Sequence, residues 1–164
     1  MGKAQEILPI LLRSYQAYYN VKEDVAEPFA AEAEFHSHEE QFFLVKSAKL
    51  SESESKEFVF FAVEEHLTLD KAEAYDKIAW ERGLSRVQPH ESHRSSDVVL
   101  VVLADEIDAD AAKYLEKLRR YQSYKFTFHG WSHYRVIAME VSTRNVICNR
   151  MGRILKKLFR NIKL

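Results

Sequence analysis

The apolar residues near the start of the chain recur at helical spacing. They are Ile7, Leu8, Leu11, Leu12, Tyr15, Tyr18 and Tyr19. This period predicts a first helix over about residues 4–19. Its regular part is expected to begin at Pro9, because proline is tolerated in the first turn of a helix. Residues 20–28 are expected to form a connection.

Strands are predicted next, where the spacing of apolar positions shortens to two. Residues 31–36 alternate between apolar and polar side chains, which is the pattern of a half-buried strand. Residues 41–45 and 58–63 are two further strand candidates, and the polar stretch 51–56 predicts a loop before the second of them. Together these segments predict an antiparallel meander.

A second helix is predicted over about residues 70–82. Thr68 or Asp70 is suited to cap its start, and Gly83 is expected to end it. The following polar stretch, residues 84–97, predicts a loop.

The next stretch, residues 98–104, is apolar at every position, which is typical of a central strand buried on both faces. Asp108 is suited to cap a third helix over about residues 109–121, because its side chain can accept a bond from the first helical turn.

The C-terminal part predicts three short strands, at 124–129, 134–141 and 146–148, followed by a helix at roughly 150–162 that Asn149 can cap. The complete order of elements predicts an α+β fold. We expect one domain, residues 1–164, with a mixed and mainly antiparallel sheet packed by about four helices.

The composition fits a reducing, intracellular compartment. Cys148 is the only cysteine, so no disulfide can form within the chain. No apolar run approaches the roughly 20 residues that a membrane-spanning helix needs. We therefore expect a cytoplasmic protein without a membrane span.

Charge is divided unevenly along the chain. Residues 1–110 carry a net charge of −12, whereas residues 111–164 carry +11, and no acidic residue follows Glu140. Such a split suggests either an anionic partner or two surfaces that attract each other.

The predicted final helix supplies much of the positive charge. Its candidate anion-binding or nucleic-acid-binding residues are Arg150, Arg153, Lys156, Lys157 and Arg160. An apolar stripe runs beside them, formed by Met151, Ile154, Leu155, Leu158 and Ile162. A basic amphipathic helix of this kind can bind nucleic acid or an anionic membrane. The alternative is a helix packed on the core, whose cations are neutralised by the acidic part of the same chain.

Two histidines at alternate positions suggest a metal site. His36 and His38 share one face of a predicted strand, and His129 or His133 can complete a set of three or four ligands across the sheet. In such a site Arg135 would meet a phosphate group of the substrate. The alternative is a pair of solvent-facing histidines beside a turn.

The aromatic segment around Gly130 contains another catalytic candidate. His129 and Ser132 are suited as a base and a nucleophile, and Arg135 follows them. Neighbours on a tight turn need not face each other, however, and no acidic residue nearby can orient the histidine. The alternative is a strand–turn–strand junction whose aromatic residues pack.

Several segments resemble those of a small bacterial family of unknown function. They are residues 35–44 and 126–132, followed by Arg135 and residues 149–153. The resemblance covers most of the chain. It implies a cytoplasmic bacterial protein and an independent domain, and it implies no activity and no site residue.

We therefore predict a binding or interaction module, with homo-oligomers held together by opposite charges as one form of it. One alternative is a metal-assisted hydrolase acting on a phosphate-containing substrate. Another is a nucleic-acid-binding protein that uses its basic C-terminal helix. The sequence identifies no cofactor.

Overall fold

A mixed β-sheet forms the centre of the computed structural model, which describes residues 2–36, 54–89 and 93–162. Its seven described strands are β1 (Asn20–Lys22), β2 (Ala31–His36), β3 (Glu54–Leu67), β4 (His93–Ile107), β5 (Tyr121–Ser123), β6 (Trp131–Glu140) and β7 (Asn145–Cys148). The described helices are α1 (Lys3–Tyr15), α2 (Leu69–Ser85), α3 (Ala109–Lys117) and α4 (Lys156–Arg160), and a 3-10 helix (Met151–Leu155) leads into α4.

The strands follow the order β1-β2-β3-β4-β6, and both β5 and β7 pair with the outer edge of β6. The central strands β3, β4 and β6 run parallel. The other four pairings between described strands are antiparallel. The predicted α+β fold, with a mixed sheet and about four helices, is confirmed.

Helices cover both faces of this sheet. Phe60 and Leu100 lie on the face that packs against α2 and α3. Phe61 and Val101, their neighbours in the strands, lie on the face that packs against α1 and α4. The prediction of a central strand at residues 98–104 is confirmed, because these residues form the middle of β4 and are fully buried.

The first helix begins at Lys3, close to the predicted start, but the expectation that its regular part begins at Pro9 is wrong, because Pro9 lies in its interior. Pro9 lies on the exposed side of the helix, where the loss of one backbone hydrogen bond is offset by burial of Leu8 and Leu11 beside it. The helix ends at Tyr15, and the expected connection contains β1.

The predicted strand at residues 31–36 is confirmed as β2, and residues 58–63 lie within β3. The predicted loop at 51–56 is wrong at its C-terminal end, because β3 already begins at Glu54. The strand predicted at 41–45 lies outside the described residues.

Gly83 does not end the second helix, which continues to Ser85. A Cβ atom at position 83 would lie 2.5 Å from Val98 Cγ2, so glycine here allows close packing of α2 on β4. Thr68 caps the helix as predicted and accepts a bond from the Lys71 amide at 3.4 Å. The predicted loop at 84–97 is too long, because β4 begins at His93.

The strand predicted at 124–129 is wrong. The chain is extended at β5, which starts where the third helix was expected to end, and residues 124–130 then form a turn. Three consecutive residues, Lys125, Phe126 and Thr127, have φ values of 47°, 53° and 76°. A strand cannot contain this left-handed backbone, so β6 starts only at Trp131, inside the break that the sequence suggested.

The apolar stripe predicted for the final helix is wrong at Ile154 and Leu158, because the first part of this segment is a 3-10 helix. Three residues per turn shift the side chains away from the expected face. Ile154 and Leu158 are therefore 70% and 37% exposed, whereas Phe159 and Ile162 are buried.

Candidate anion-binding site

The outer edge of β6 is paired in two places, and no described strand pairs with it between them. β5 pairs with its first residues, Trp131–His133, and β7 pairs with its last residues, Ile137–Glu140. Two connecting segments converge at the gap, one between α3 and β5 and the other between β7 and the 3-10 helix.

The side chain of Asn149 closes this gap in place of a strand. It is buried, and its Nδ2 atom donates to the carbonyl oxygens of Tyr134 at 2.9 Å and Leu118 at 3.1 Å. Its Oδ1 atom accepts from the amides of Val136 at 2.9 Å and Gly152 at 2.8 Å. Asn149 therefore ties both connecting segments to β6, and its expected capping contact is only one of four hydrogen bonds.

Two arginines follow these anchor points directly. Arg119 comes after Leu118, and Arg150 comes after Asn149, so the same hydrogen bonds position both. They are shared by two clefts of about 380 Å³ and about 320 Å³. We call these clefts together the basic groove.

The first cleft of the basic groove is also lined by Arg120, Tyr121 and His133. The second is lined by Arg153 and Lys156, with Glu116 as an acidic residue at its wall. Lys157 and Arg160, which the sequence also suggested, are exposed on α4 and do not line either cleft.

Four cations of the basic groove have no ion-paired carboxylate among the described residues. Within residues 2–36, 54–89 and 93–162, no carboxylate forms an ion pair with Arg119, Arg150, Arg153 or Lys156. Their field reaches Cys148 in the second cleft: burial raises the pKa of this thiol, while Lys156 and Arg153 oppose the rise by favouring the thiolate. The groove is therefore a site of positive potential.

Arg120 differs from Arg119 because its guanidinium is already neutralised. Its Nε and Nη2 atoms donate to the two carboxylate oxygens of Asp76, each at 2.9 Å. The Asp76 side chain is fully buried, and the hydroxyl of Tyr114 donates to it as well. A paired Arg120 thus fixes the segment that carries Arg119.

Arg135 contacts the segment that follows Arg150 and so helps to position the basic groove. Its Nη2 atom lies 3.1 Å from Asp97 Oδ2, and its Nη1 atom donates to the Met151 carbonyl at 2.6 Å. Gly152 is required beside it, because a Cβ atom there would lie 2.3 Å from the carbonyl oxygen of Val136. These contacts hold the start of the 3-10 helix against β6, and Arg135 itself lines neither cleft.

A family model described as a domain of unknown function (DUF8052) matches residues 3–161, from α1 to the end of α4. The chain belongs to this family. The predicted resemblance to an uncharacterised family is thereby confirmed, and its bacterial origin stays a prediction. No curated protein and no solved structure matches this DUF8052 chain.

The DUF8052 match includes every element that builds the basic groove. Among the described segments of the chain, no helix is both long and apolar enough to cross a membrane. Neither observation identifies a ligand, so the chemistry of the site depends on its side chains.

The three described histidines among those predicted to bind a metal lie on different segments. His36 ends β2, His38 lies outside the described residues, and His129 lies in the turn before β6. His133 lies on β6, with its ring centroid 5.2 Å from that of Tyr121. The part of the chain that the structure describes contains no group of three or more potential metal ligands. A metal site that includes His38 stays a prediction.

Ser132, the predicted nucleophile, is fully buried at the start of β6. Its hydroxyl lies 2.9 Å from the hydroxyl of Tyr124, at the base of the turn that contains His129. This hydrogen bond fastens the turn to the strand. The pairing of Ser132 with His129 as nucleophile and base stays a prediction.

A second polar cluster, which sequence reasoning missed, lies under α1. The hydroxyl of Tyr19 donates to Glu57 Oε2 at 2.8 Å, and burial raises the pKa of this carboxyl. The nearby Asp97 carboxylate raises the pKa of Glu57 further, whereas Arg135 lowers it. The hydroxyl of Tyr15 is buried in the same region and has no hydrogen-bond partner in the described part of the chain.

Carboxylates gather at the C-terminal ends of the parallel strands. We call Glu64, Asp105, Asp108 and Glu140 the acidic edge. Asp105 Oδ1 accepts from the amide of Ala4 at 2.7 Å and so caps α1. Each carboxylate of the acidic edge thus has a hydrogen-bond partner within the fold.

Asp108 takes the N-cap position of α3 as predicted, but its side chain makes no capping bond. It contacts His66 instead, and this contact raises the pKa of the exposed imidazole. The choice of partner was not readable from the sequence, because His66 comes from β3.

Proposed function

We propose that this domain is a binding module that takes a phosphate-bearing ligand in the basic groove. The observation that carries the proposal is a set of four cations that line two clefts with shared walls: Arg119, Arg150, Arg153 and Lys156. None of them forms an ion pair with a carboxylate of the described residues. Arginine presents a planar fork of donors that matches two phosphate oxygens, and lysine adds a point charge.

The alternative reading of the charge split is neutralisation within the fold. It accounts for Arg120 and Arg135, which pair with Asp76 and Asp97 from the acidic part of the chain. It does not account for Arg119, which precedes Arg120 in the sequence. It also does not account for Arg150, which precedes Met151, the residue whose carbonyl Arg135 contacts. A concave site with such cations favours an anion from outside the molecule.

Arg119→Glu combined with Arg150→Glu tests the proposal, because both residues belong to both clefts. The probe is inorganic tripolyphosphate, titrated calorimetrically at low salt. We expect each substitution to weaken binding about tenfold or more, since a charge-assisted hydrogen bond contributes roughly 1.5–3 kcal/mol. Added salt should weaken binding by the wild type, because exposed charges are screened.

The matched control is Arg13→Glu combined with Lys77→Glu. These positions are exposed on α1 and α2, so the control makes the same change in net charge away from the basic groove. Equal affinity of the two double variants, or no binding by the wild type, would show that the groove is not a phosphate site.

The strand order favours self-association as a second candidate function. Strands β1–β4 come from the acidic part of the chain, whereas β5, β6 and β7 come from the basic part and lie at the other side of the sheet. Sedimentation velocity at low and high salt tests it. We expect an oligomer at low salt that dissociates as salt rises, and an unchanged monomer would exclude this candidate.

A further inference from the structure

Exposed hydrophobic side chains concentrate in the basic part of the chain. Of the six large ones among the described residues, five lie there, and the sixth is Tyr18 after α1. We call these five the apolar rim: Tyr121, Phe126, Phe128, Ile154 and Leu158. Exposed apolar side chains near cations that have no ion-paired carboxylate among the described residues favour a partner that offers both negative charge and an apolar interior.

One half of the apolar rim is displayed by the turn between β5 and β6. Phe126 and Phe128 are 91% and 80% exposed. The turn is ordered by its own hydrogen bonds, among them Phe128 N to Lys125 O at 3.0 Å and Gly130 N to Thr127 O at 3.1 Å. Its left-handed residues store strain, which the exposed aromatic rings do not offset by packing.

The other half of the apolar rim comes from the segment that also supplies Arg153 and Lys156 to the second cleft. Ile154 and Leu158 are four residues apart on the 3-10 helix and α4, next to Arg153 and Lys157 in sequence. Tyr121 lines the first cleft and Arg153 lines the second, so each half of the apolar rim is attached to a wall of the groove.

We propose that the basic groove and the apolar rim together dock this domain onto an anionic phospholipid membrane. The proposal rests on the proposed function, because the groove would hold lipid phosphates. The apolar rim would enter the boundary between headgroups and acyl chains. Cations beside exposed aromatic and aliphatic side chains are the usual composition of a surface that lies in this boundary.

Two other occupants fit this surface less well. Single-stranded nucleic acid can stack bases on Phe126 and Phe128, but the aliphatic Ile154 and Leu158 offer it no stacking surface. A second copy of the chain, joined through the same surface, would bring like charges together. An anionic membrane matches the cations, the aromatic rings and the aliphatic pair at once.

Co-sedimentation with lipid vesicles tests the proposal. The full chain is mixed with vesicles of phosphatidylcholine alone or of phosphatidylcholine with phosphatidylserine. We expect binding to the anionic vesicles only. Phe126→Ser combined with Phe128→Ser should weaken it about tenfold or more, because two apolar side chains no longer leave water. Tyr18→Ser, at a site that is 72% exposed outside the surface, is the matched control and should bind like the wild type.

The possible outcomes separate this inference from the proposed function. If the wild type ignores anionic vesicles, or if the double phenylalanine variant binds them unchanged, membrane docking by the apolar rim is overturned. If a fluorescent single-stranded oligonucleotide binds instead and depends on Phe126 and Phe128, the partner is nucleic acid and the phosphate groove still stands. If Arg119→Glu with Arg150→Glu changes binding to no probe, the proposed function itself fails.

Discussion

The acidic edge and the basic groove carry opposite charge, and they also differ in what their charges do. At the acidic edge, Asp105 caps α1, and Glu140 accepts from the amide of Ile107 at 2.7 Å. In the basic groove, Arg119 and Arg150 face clefts and pair with no carboxylate that the structure describes. One region uses its charges to hold elements together, and the other leaves them available. Charge along the sequence therefore points to function only after internal partners are known.

The largest expected effect separates two neighbours, Arg120 and Arg119. Arg120→Met should lower the free energy of unfolding by about 3 kcal/mol, because it leaves the buried carboxylate of Asp76 without its cation. Arg119→Met should change it by less than about 0.5 kcal/mol, yet weaken phosphate binding. Urea denaturation and calorimetric titration of both variants measure the two effects. Similar stability losses in both would erase the contrast between paired and available cations.

The next effect concerns the residue that joins both walls of the basic groove. Asn149→Ala should lower the free energy of unfolding by about 2–3 kcal/mol, because buried amides and carbonyls of the gap lose their partner. It should also weaken phosphate binding, since Arg119 and Arg150 are no longer tied to β6. Asn145→Ala, at an exposed position of β7, is the control. Unchanged phosphate affinity in Asn149→Ala would mean that the groove does not need this anchor.

A smaller effect tests the structural role of the acidic edge. Asp105→Ala should lower the free energy of unfolding by about 1 kcal/mol, the usual loss for a helix cap. Phosphate affinity should not change, because Asp105 lines neither cleft of the groove. Glu106→Ala removes the same charge from an exposed neighbour and should leave thermal stability unchanged. A loss of phosphate affinity in Asp105→Ala would contradict the division of roles.

The smallest expected effect is a pH dependence of stability that arises from Glu57, in the cluster that also contains Asp97 and Arg135. Burial raises the pKa of Glu57 in the folded protein, so the folded state binds a proton more readily than the unfolded state. The stability that this proton provides is present below the ordinary carboxyl pKa and is lost as pH rises through the raised pKa. Glu57→Gln should therefore gain stability over the wild type as pH rises through this range.

Thermal unfolding between acidic and neutral pH measures the slope for Glu57→Gln. Glu65→Gln is the control, because this glutamate is exposed near the end of β3. Parallel pH profiles for the wild type and Glu57→Gln would show that burial does not perturb Glu57.

Local sequence patterns correctly predicted the elements whose environment is uniform along their length. Residues 98–104 are apolar at every position, and they form a strand that is buried on both faces. The same patterns failed at residues 124–129, where strand-forming aromatic residues adopt a turn with positive φ values. They also failed at Gly83, because the reason for glycine there is the approach of Val98 from another strand.

The candidate site was predicted only in part. The concentration of cations near Arg150 and Arg153 was readable from charge alone. Arg119 was missed, because nothing in its surroundings distinguishes it from Arg120. Asn149 was expected to cap a helix, and its bonds to Leu118 and Tyr134 depend on segments 31 and 15 residues away. Spacing rules describe contacts along one element, so they cannot find these bonds.

By itself, the sequence determined the α+β class and the division of charge, because apolar periodicity and net charge are properties of the chain. Only the tertiary structure decided which cations are neutralised. Arg120 pairs with a carboxylate 44 residues away, and Arg135 pairs with one 38 residues away. Their neighbours Arg119 and Arg150 were left facing two clefts, since the fold brings no described carboxylate to them. Charge is carried by the sequence, but its availability depends on which residues folding brings together.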